Sequence, residues 1–176
     1  MKYVITGGPG VGKTTTLNEL EKLGYSTLPE VARQIIAEQM PNGVLPWTNL
    51  FAFQKLVVTR QLDLESKVEG VTFLDRGLLD GLAYCWAGGI DVPLQLSHAC
   101  RNAEYAGVFL LDRLPAYCTD AQRKESVEEA EKIHNALAEA YITHSYTPIR
   151  VPVLPPEERA KYILERIGGD RNGRML

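Results

Sequence analysis

The chain has 176 residues, 45% hydrophobic and 23% charged, with a formal net charge of -3 and a pI near 5.7. That length and balance suit one compact domain with a proper core, and the acidic excess leaves no electrostatic footprint for tight, nonspecific binding to duplex nucleic acid. No apolar stretch approaches the roughly 20 residues needed to cross a bilayer, and no signal peptide precedes the first strand signal. Cys85, Cys100 and Cys118 lack the spacing of a zinc site and read as buried thiols in a reducing compartment, with the cytoplasm as the expected location.

The chain opens on an apolar run, Lys2-Tyr3-Val4-Ile5-Thr6, which predicts a strand. Residues 7 to 14, Gly7-Gly8-Pro9-Gly10-Val11-Gly12-Lys13-Thr14, then fill the pattern Gly-x-x-x-x-Gly-Lys-Ser/Thr of a phosphate-binding loop. A chain that wraps a polyphosphate with backbone N–H groups needs conformations open only where side chains are absent, and glycines at 7, 8, 10 and 12 supply them. Residues Gly8 to Thr15 are expected to cradle the phosphates. Lys13 reaches the β- and γ-phosphates, the Thr14 hydroxyl ligates Mg²⁺, and the helix beginning there points its positive end at the anion.

That helix runs from Thr15 to Leu23 and is capped by Gly24. Tyr25 to Leu28 reads as the second strand, and Pro29 opens a helix that carries Val31, Ile35, Ile36 and Met40 inward before residues 41 to 46 break it. Leu50, Phe53, Val57, Leu64 and Val68 recur at helical steps and predict one long amphipathic helix over residues 48 to 69, tolerant of the interruption at Gln61. Val71 to Asp75 is a strand signal, Leu78 to Ala87 a helix stopped by Gly88-Gly89, Pro93 to Tyr105 a further helix, and Gly107 to Asp112 a central parallel strand. Residues 113 to 125 are polar and turn-rich. Ser126 and Glu129 have capping-box spacing at the head of a helix that ends near His144. Ile149 to Val153 is the last strand, residues 155 to 167 the closing helix, and residues 168 to 176 a flexible polar tail.

Alternation of strands and helices implies parallel pairing and a three-layer αβα sandwich of about five strands, a single domain over residues 1–167. Ligands of such sheets sit beyond the carboxyl ends of the strands, which places the loop, Glu30, Asp75-Arg76 and Asp112-Arg113 around one cleft. Asp75 closes an apolar strand, as a Mg²⁺-binding Walker B carboxylate does; it would hold the metal or accept a proton, or merely cap the next helix. Arg76 offers a guanidinium clamp for phosphate oxygens. Asp80 is a supporting partner or a helix-face charge. Glu30 lies where a base for a substrate hydroxyl belongs, although a carboxylate in a first helical turn, with Arg33 three residues on, also has a routine structural reading. Arg123, in the stretch Cys118 to Glu125, is either a cationic clamp in a mobile cover or an exposed basic residue near a helix start. Arg150 and the apolar segment 151 to 155 are candidates to wall an adenine. His98, His134 and His144 show no partner spacing and read as structural or surface residues, and Trp47 and Trp86 as packing in core or cleft.

With Val4 to Thr15, Pro29 to Arg33, Phe73 to Gly77 and Asp120-x-x-Arg123 assembled, the chain resembles a P-loop kinase of the nucleoside and nucleotide kinase-like class. Within it the chain is similar to short proteins labelled AAA-type ATPases that are related to the ribosylnicotinamide kinase domain of bacterial NAD regulators. The resemblance implies a strand order of 2-3-1-4-5 and ATP with Mg²⁺ as donor. It also supports Glu30 as base, since deoxynucleoside kinases place a Glu comparably. The AAA label fits less well: Arg76 stands where a motor ATPase has its second acidic residue. The expected activity is phosphoryl transfer from ATP to a small nucleoside- or nucleotide-like acceptor, with Lys13, Asp75, Glu30, Arg76 and Arg123 carrying the chemistry and Thr14 and Asp75 the metal. Two alternatives stay open: a regulatory ATPase without an acceptor, and an RNA or DNA end kinase with a local basic groove of Arg33, Lys55, Arg60 and Arg101. Oligomeric state and acceptor identity have no signature.

Overall fold

The computed structural model describes residues 1–43, 45, 48–114 and 126–172, with side chains through residue 168. Arg123, Cys118 and Trp47 lie outside the described residues. Five parallel strands, β1 (Lys2–Thr6), β2 (Ser26–Leu28), β3 (Thr72–Asp75), β4 (Gly107–Leu111) and β5 (Ile149–Val151), form one sheet in the order 2-3-1-4-5. Around it pack α1 (Lys13–Lys22), α2 (Val31–Gln39), α3 (Leu50–Ser66), α4 (Leu78–Gly88), α5 (Leu94–Arg101), α6 (Val127–Thr143) and α7 (Pro156–Asn172).

The sheet is covered on both faces, as a parallel sheet requires. Val4, Leu74 and Val108 point to one side and join residues of α4, α5 and α6, including Leu79, Leu96, Leu137 and Tyr141. Tyr3, Ile5, Phe73, Phe109 and Leu111 point to the other and join Leu17 and Leu20 of α1 and Ile163 of α7. Alternate residues of each strand thus feed opposite cores, the period-two logic of a buried sheet. Register brings Ile5 opposite both Asp75 and Phe109, so the ends of β1 and β3 coincide.

Several boundaries differ from the sequence expectation. β5 stops at Val151 because Pro152 has no N–H to continue the ladder. Met40, expected inward on the preceding helix, is exposed, and with Pro41 and Asn42, expected in a plain loop, it forms a 3₁₀ turn closed by Gly43 in the left-handed region. The backbone of α7 continues to Asn172, past the expected end at Ile167 and into the stretch expected to be a flexible tail. The largest difference is in α3, whose buried positions are Phe53, Gln54, Val58, Gln61 and Glu65 rather than the full apolar stripe. Leu56 and Leu62 on the same helix are exposed. Trp86 is 39% exposed on α4, in neither core nor cleft. Among the described residues no helix is long and apolar enough to cross a membrane.

Candidate functional site

Residues 7 to 12 leave β1 and turn back into α1. Gly7 has a φ of 139°, and a Cβ there would lie 2.9 Å from the Leu111 carbonyl oxygen, so β4 closes the space that a side chain would need. Lys13 is buried at 7% exposure, and its Nζ donates to the carbonyls of Gly7 and Gly8 at 3.0 Å each. Burial, reinforced by the nearby Arg76, lowers its pKa to about 8. The loop thus holds its lysine folded back on its own carbonyls.

The Thr14 hydroxyl donates to Asp75 Oδ2 at 3.0 Å, joining the first turn of α1 to the end of β3. Asp75 is 3% exposed and its Oδ1 is a buried acceptor with no hydrogen-bond partner. Burial raises its pKa beyond what Lys13 and Arg76 pull down. A hydroxyl oxygen beside an orphaned carboxylate oxygen is a donor set that fits a hard divalent cation such as Mg²⁺.

Glu30 occupies the N-cap position of α2, and its side chain is held from two sides. Arg33 Nε donates to Oε2 at 3.1 Å, and Arg76 Nε makes an ion pair with Oε1 at 3.1 Å. Burial opposes its charge, but Arg76, Lys13 and Arg33 together prevail and hold the carboxyl below its usual pKa. Glu30 is therefore ionised at neutral pH. Arg76 itself stays charged, its pKa lifted well above the usual value by Glu30, Tyr84 and Asp80 despite burial. Its guanidinium lies 4.9 Å from the Tyr84 ring centroid, within cation–π range.

Asp80 is not a surface charge. At 2% exposure it accepts from Thr6 Oγ1 at 2.7 Å, Tyr141 Oη at 2.6 Å and the Gly77 amide at 3.1 Å, with Arg76 Nη1 at 3.6 Å. It ties the last residue of β1 to the turn carrying Arg76. Gln61 contributes from α3, its Nε2 donating to Glu65 Oε1 at 2.8 Å and to the Arg76 carbonyl at 3.4 Å. Gln54 lines the same space.

Lys13, Glu30, Arg76, Asp80, Gln54 and Gln61 border a cavity of about 910 Å³ that reaches from Pro9 and Gly10 to an apolar wall that includes Ile36, Phe53, Val57 and Leu78, while Thr14 and Asp75 stand outside its lining. The sequence anticipated the loop, Glu30, Asp75 and Arg76, and the structure brings them together. It missed Gln54, and Gln61 counted only as an interruption of an apolar stripe; it also missed His134. The Gly8 amide, expected to face phosphate, donates instead to His134 Nδ1 at 3.3 Å, with His134 only 9% exposed on α6. Thr15 is exposed, and its hydroxyl turns back to the Gly12 carbonyl at 2.8 Å.

Asp112, Arg113 and Arg150 stand outside this cavity. Arg150 pairs with Asp112 at 2.8 Å, and Arg113 with Glu131 at 3.0 Å. Of the residues proposed for a nucleic-acid groove, Arg33 is paired to Glu30 and Arg60 to Glu38 at 2.7 Å, while Lys55 and Arg101 are exposed.

A phosphate-binding loop at the head of a parallel sheet of order 2-3-1-4-5 defines a P-loop fold, and a strand-end Asp-Arg pair lies beside the loop. The chain belongs to a family described as AAA domain, whose model matches residues 2–159. No curated protein matches it by sequence. Among solved structures it is similar to deoxyadenosine kinase from M. mycoides with the products dCMP and a flexible dCDP bound, at 18% identity and a TM-score of 0.67, over 96% of this chain and 99% of that one. The same enzyme with bound dCTP gives 16% identity and a TM-score of 0.63 over 96% and 100% of the two chains. Thymidylate kinase from Ehrlichia chaffeensis gives 14% identity and a TM-score of 0.65 over 95% and 98%. At these identities the likeness is one of fold.

Proposed function

We propose that the protein transfers the γ-phosphoryl group of ATP to a hydroxyl of a small, uncharged, nucleoside-sized acceptor. The observation that carries this reading is Glu30: an ionised carboxylate, fixed by Arg33 and Arg76, in the cavity that also holds Lys13. A carboxylate held in that place suits the acceptance of a hydroxyl proton. Arg76, beside it, suits the neutralisation of charge on the transferring phosphoryl.

Asp75 has a different task. Its Oδ2 is engaged by the Thr14 hydroxyl, so Thr14 and Asp75 would hold Mg²⁺, and Glu30 is left as the base. When bound, Mg²⁺ supplies charge neutralisation at the phosphate oxygens. The protein's own residues do the rest: loop amides and Lys13 bind the donor, Glu30 orients the acceptor hydroxyl and takes its proton, and the apolar wall of α2 and α3 excludes water.

The charge balance of the cavity favours a hydroxyl over a phosphate as acceptor. Its described lining has the cations Lys13, Arg33 and Arg76 and the anions Glu30, Asp80 and Glu129. Once the donor is bound, no surplus cation is left there for a second phosphate. The fold likeness to enzymes named as a deoxyadenosine kinase and a thymidylate kinase supports the size class of the acceptor.

The test is a mass-spectrometric screen of purified protein with MgATP against nucleosides, nucleoside monophosphates and other small alcohols. Phosphorylation of an uncharged alcohol with stoichiometric ADP is expected. Binding of ATP with no phosphorylated product across the panel contradicts the reading.

A further inference from the structure

Arg159, in the first turn of α7, is used by nothing described so far. It is 2% exposed, yet its Nε and Nη2 have no hydrogen-bond partner, and no carboxylate lies within ion-pair distance among the described residues. Its Nη1 donates to the Val11 carbonyl of the phosphate loop. The guanidinium also lies against the next residue: a Cβ built on Gly12 would be 3.1 Å from Nη1, and Gly12 has a φ of 88°. An unpaired buried guanidinium is costly to fold around, and a fold retains one where an anion arrives to balance it.

The peptide geometry says which anion. The Val11–Gly12 peptide is trans, so its carbonyl and its N–H point in opposite directions. With the carbonyl held by Arg159, the Gly12 N–H is aimed to the opposite side, away from the Arg159 guanidinium. A carbonyl that accepts from a cationic donor also polarises its own amide, which strengthens that N–H as a donor. Thr15 and Thr16 hydroxyls, at 2.8 and 2.9 Å from the Gly12 carbonyl, pin the following peptide in the same way. Burial lowers the Arg159 pKa, and the one carboxylate that counters this is Asp112, already paired with Arg150.

We infer that Arg159 is a positioning residue of the phosphate loop, which aims the Gly12 amide at a bound polyphosphate and whose buried charge is balanced by that anion. The inference rests on the loop as a polyphosphate site and not on the acceptor or on transfer.

Isothermal titration of inorganic tripolyphosphate with magnesium into the unaltered protein, Arg159→Met and Arg159→Lys tests it. Arg159→Met should bind about 10- to 100-fold more weakly, the range of a hydrogen bond to a charged group. Arg159→Lys should recover most of that loss, because it restores the charge. Unchanged affinity in Arg159→Met overturns the inference, and so does an equal loss in both variants, which would mark a packing role only. Failure of the unaltered protein to bind tripolyphosphate overturns it together with the phosphate-site reading. A protein that binds tripolyphosphate but phosphorylates nothing contradicts only the transfer reading.

Discussion

Arg76 Nε lies 3.1 Å from Glu30 Oε1, and Arg76 makes this pair from a left-handed backbone, at a φ of 75°. For a residue with a Cβ that conformation costs on the order of 1–2 kcal/mol, so surrounding contacts must impose it. They are visible: the Arg76 amide donates to the Ile5 carbonyl at 3.1 Å, Gln61 meets its carbonyl at 3.4 Å, and Asp80 and Tyr84 flank its guanidinium. β1, α3 and α4 together fix one ion pair. The turn after β3 is shaped to present Arg76 toward Glu30 rather than to solvent.

Glu30→Gln keeps the shape of the side chain and removes its basicity. With a phosphorylated acceptor in hand, kcat should fall by about 100- to 10,000-fold, the usual contribution of a positioned general base, while KM for ATP stays within a few-fold. Steady-state kinetics of the variant check this. A kcat near that of the unaltered protein would move the base role to Asp75.

Nucleotide affinity should depend on pH through Lys13, whose pKa in the free protein is about 8. A bound triphosphate favours the charged amine and raises that pKa. Below about pH 8 the amine is already protonated and this group adds no pH dependence. Above it, binding must take up a proton, so affinity falls by up to about tenfold per pH unit. Titrations in buffers of different ionisation enthalpy report the proton directly. Affinity that rises between pH 8 and 9 would show that Lys13 does not meet the anion.

His134 accepts the Gly8 amide through Nδ1 and must be neutral to do so. Burial, then Arg113, lowers its pKa below the ordinary value of 6.5. For a group with a depressed folded pKa, the unfolded chain binds the proton first as pH falls. Its stabilising contribution is whole above about pH 6.5 and is lost as the pH drops through the lower, folded value. Urea denaturation between pH 5 and 7.5 should show this slope. In His134→Asn, which keeps an acceptor and cannot titrate, the slope should be shallower.

Gly77 is the first residue of the turn into α4, and its backbone is extended, so any residue could adopt it. Space is the constraint. A Cβ there would sit 2.8 Å from Tyr141 Oη and 2.9 Å from Tyr105 Oη, the hydroxyls that bond Asp80 and Glu65. Gly77→Ala should displace one of them and destabilise the fold by about 1–3 kcal/mol, as overpacking of a core does. Equilibrium denaturation measures it. A stability unchanged within 0.5 kcal/mol would mean that both tyrosines relax freely.

Much of this arrangement was legible in the sequence because its signals are local. Gly7 to Thr14 is a spacing with a single mechanical meaning, and Asp75-Arg76 ends an apolar strand, so topology alone carries both to the same edge of the sheet. What stayed hidden depends on contacts distant in the chain. Gln54, Gln61 and Glu65 form a polar seam on the buried face of α3, where an apolar-stripe argument looks for Leu and Val. Gln61 is buried because the Arg76 carbonyl and Glu65 await it, 15 and 4 residues away. His134 and Arg159 reach the loop from α6 and α7, across separations of 126 and 148 residues. No local pattern marks them. Asp80, open between support and surface, is settled as the buried hub of the Arg76 turn.

The fate of the γ-phosphoryl group tests the central claim most directly. Protein supplied with γ-labelled ATP, magnesium and a mixture of nucleosides should place the label on an alcohol oxygen of an acceptor, with little in inorganic phosphate, and Glu30→Gln should lose that product while still binding ATP. Label that appears only as inorganic phosphate, at a rate indifferent to acceptor and to Glu30, would contradict the account.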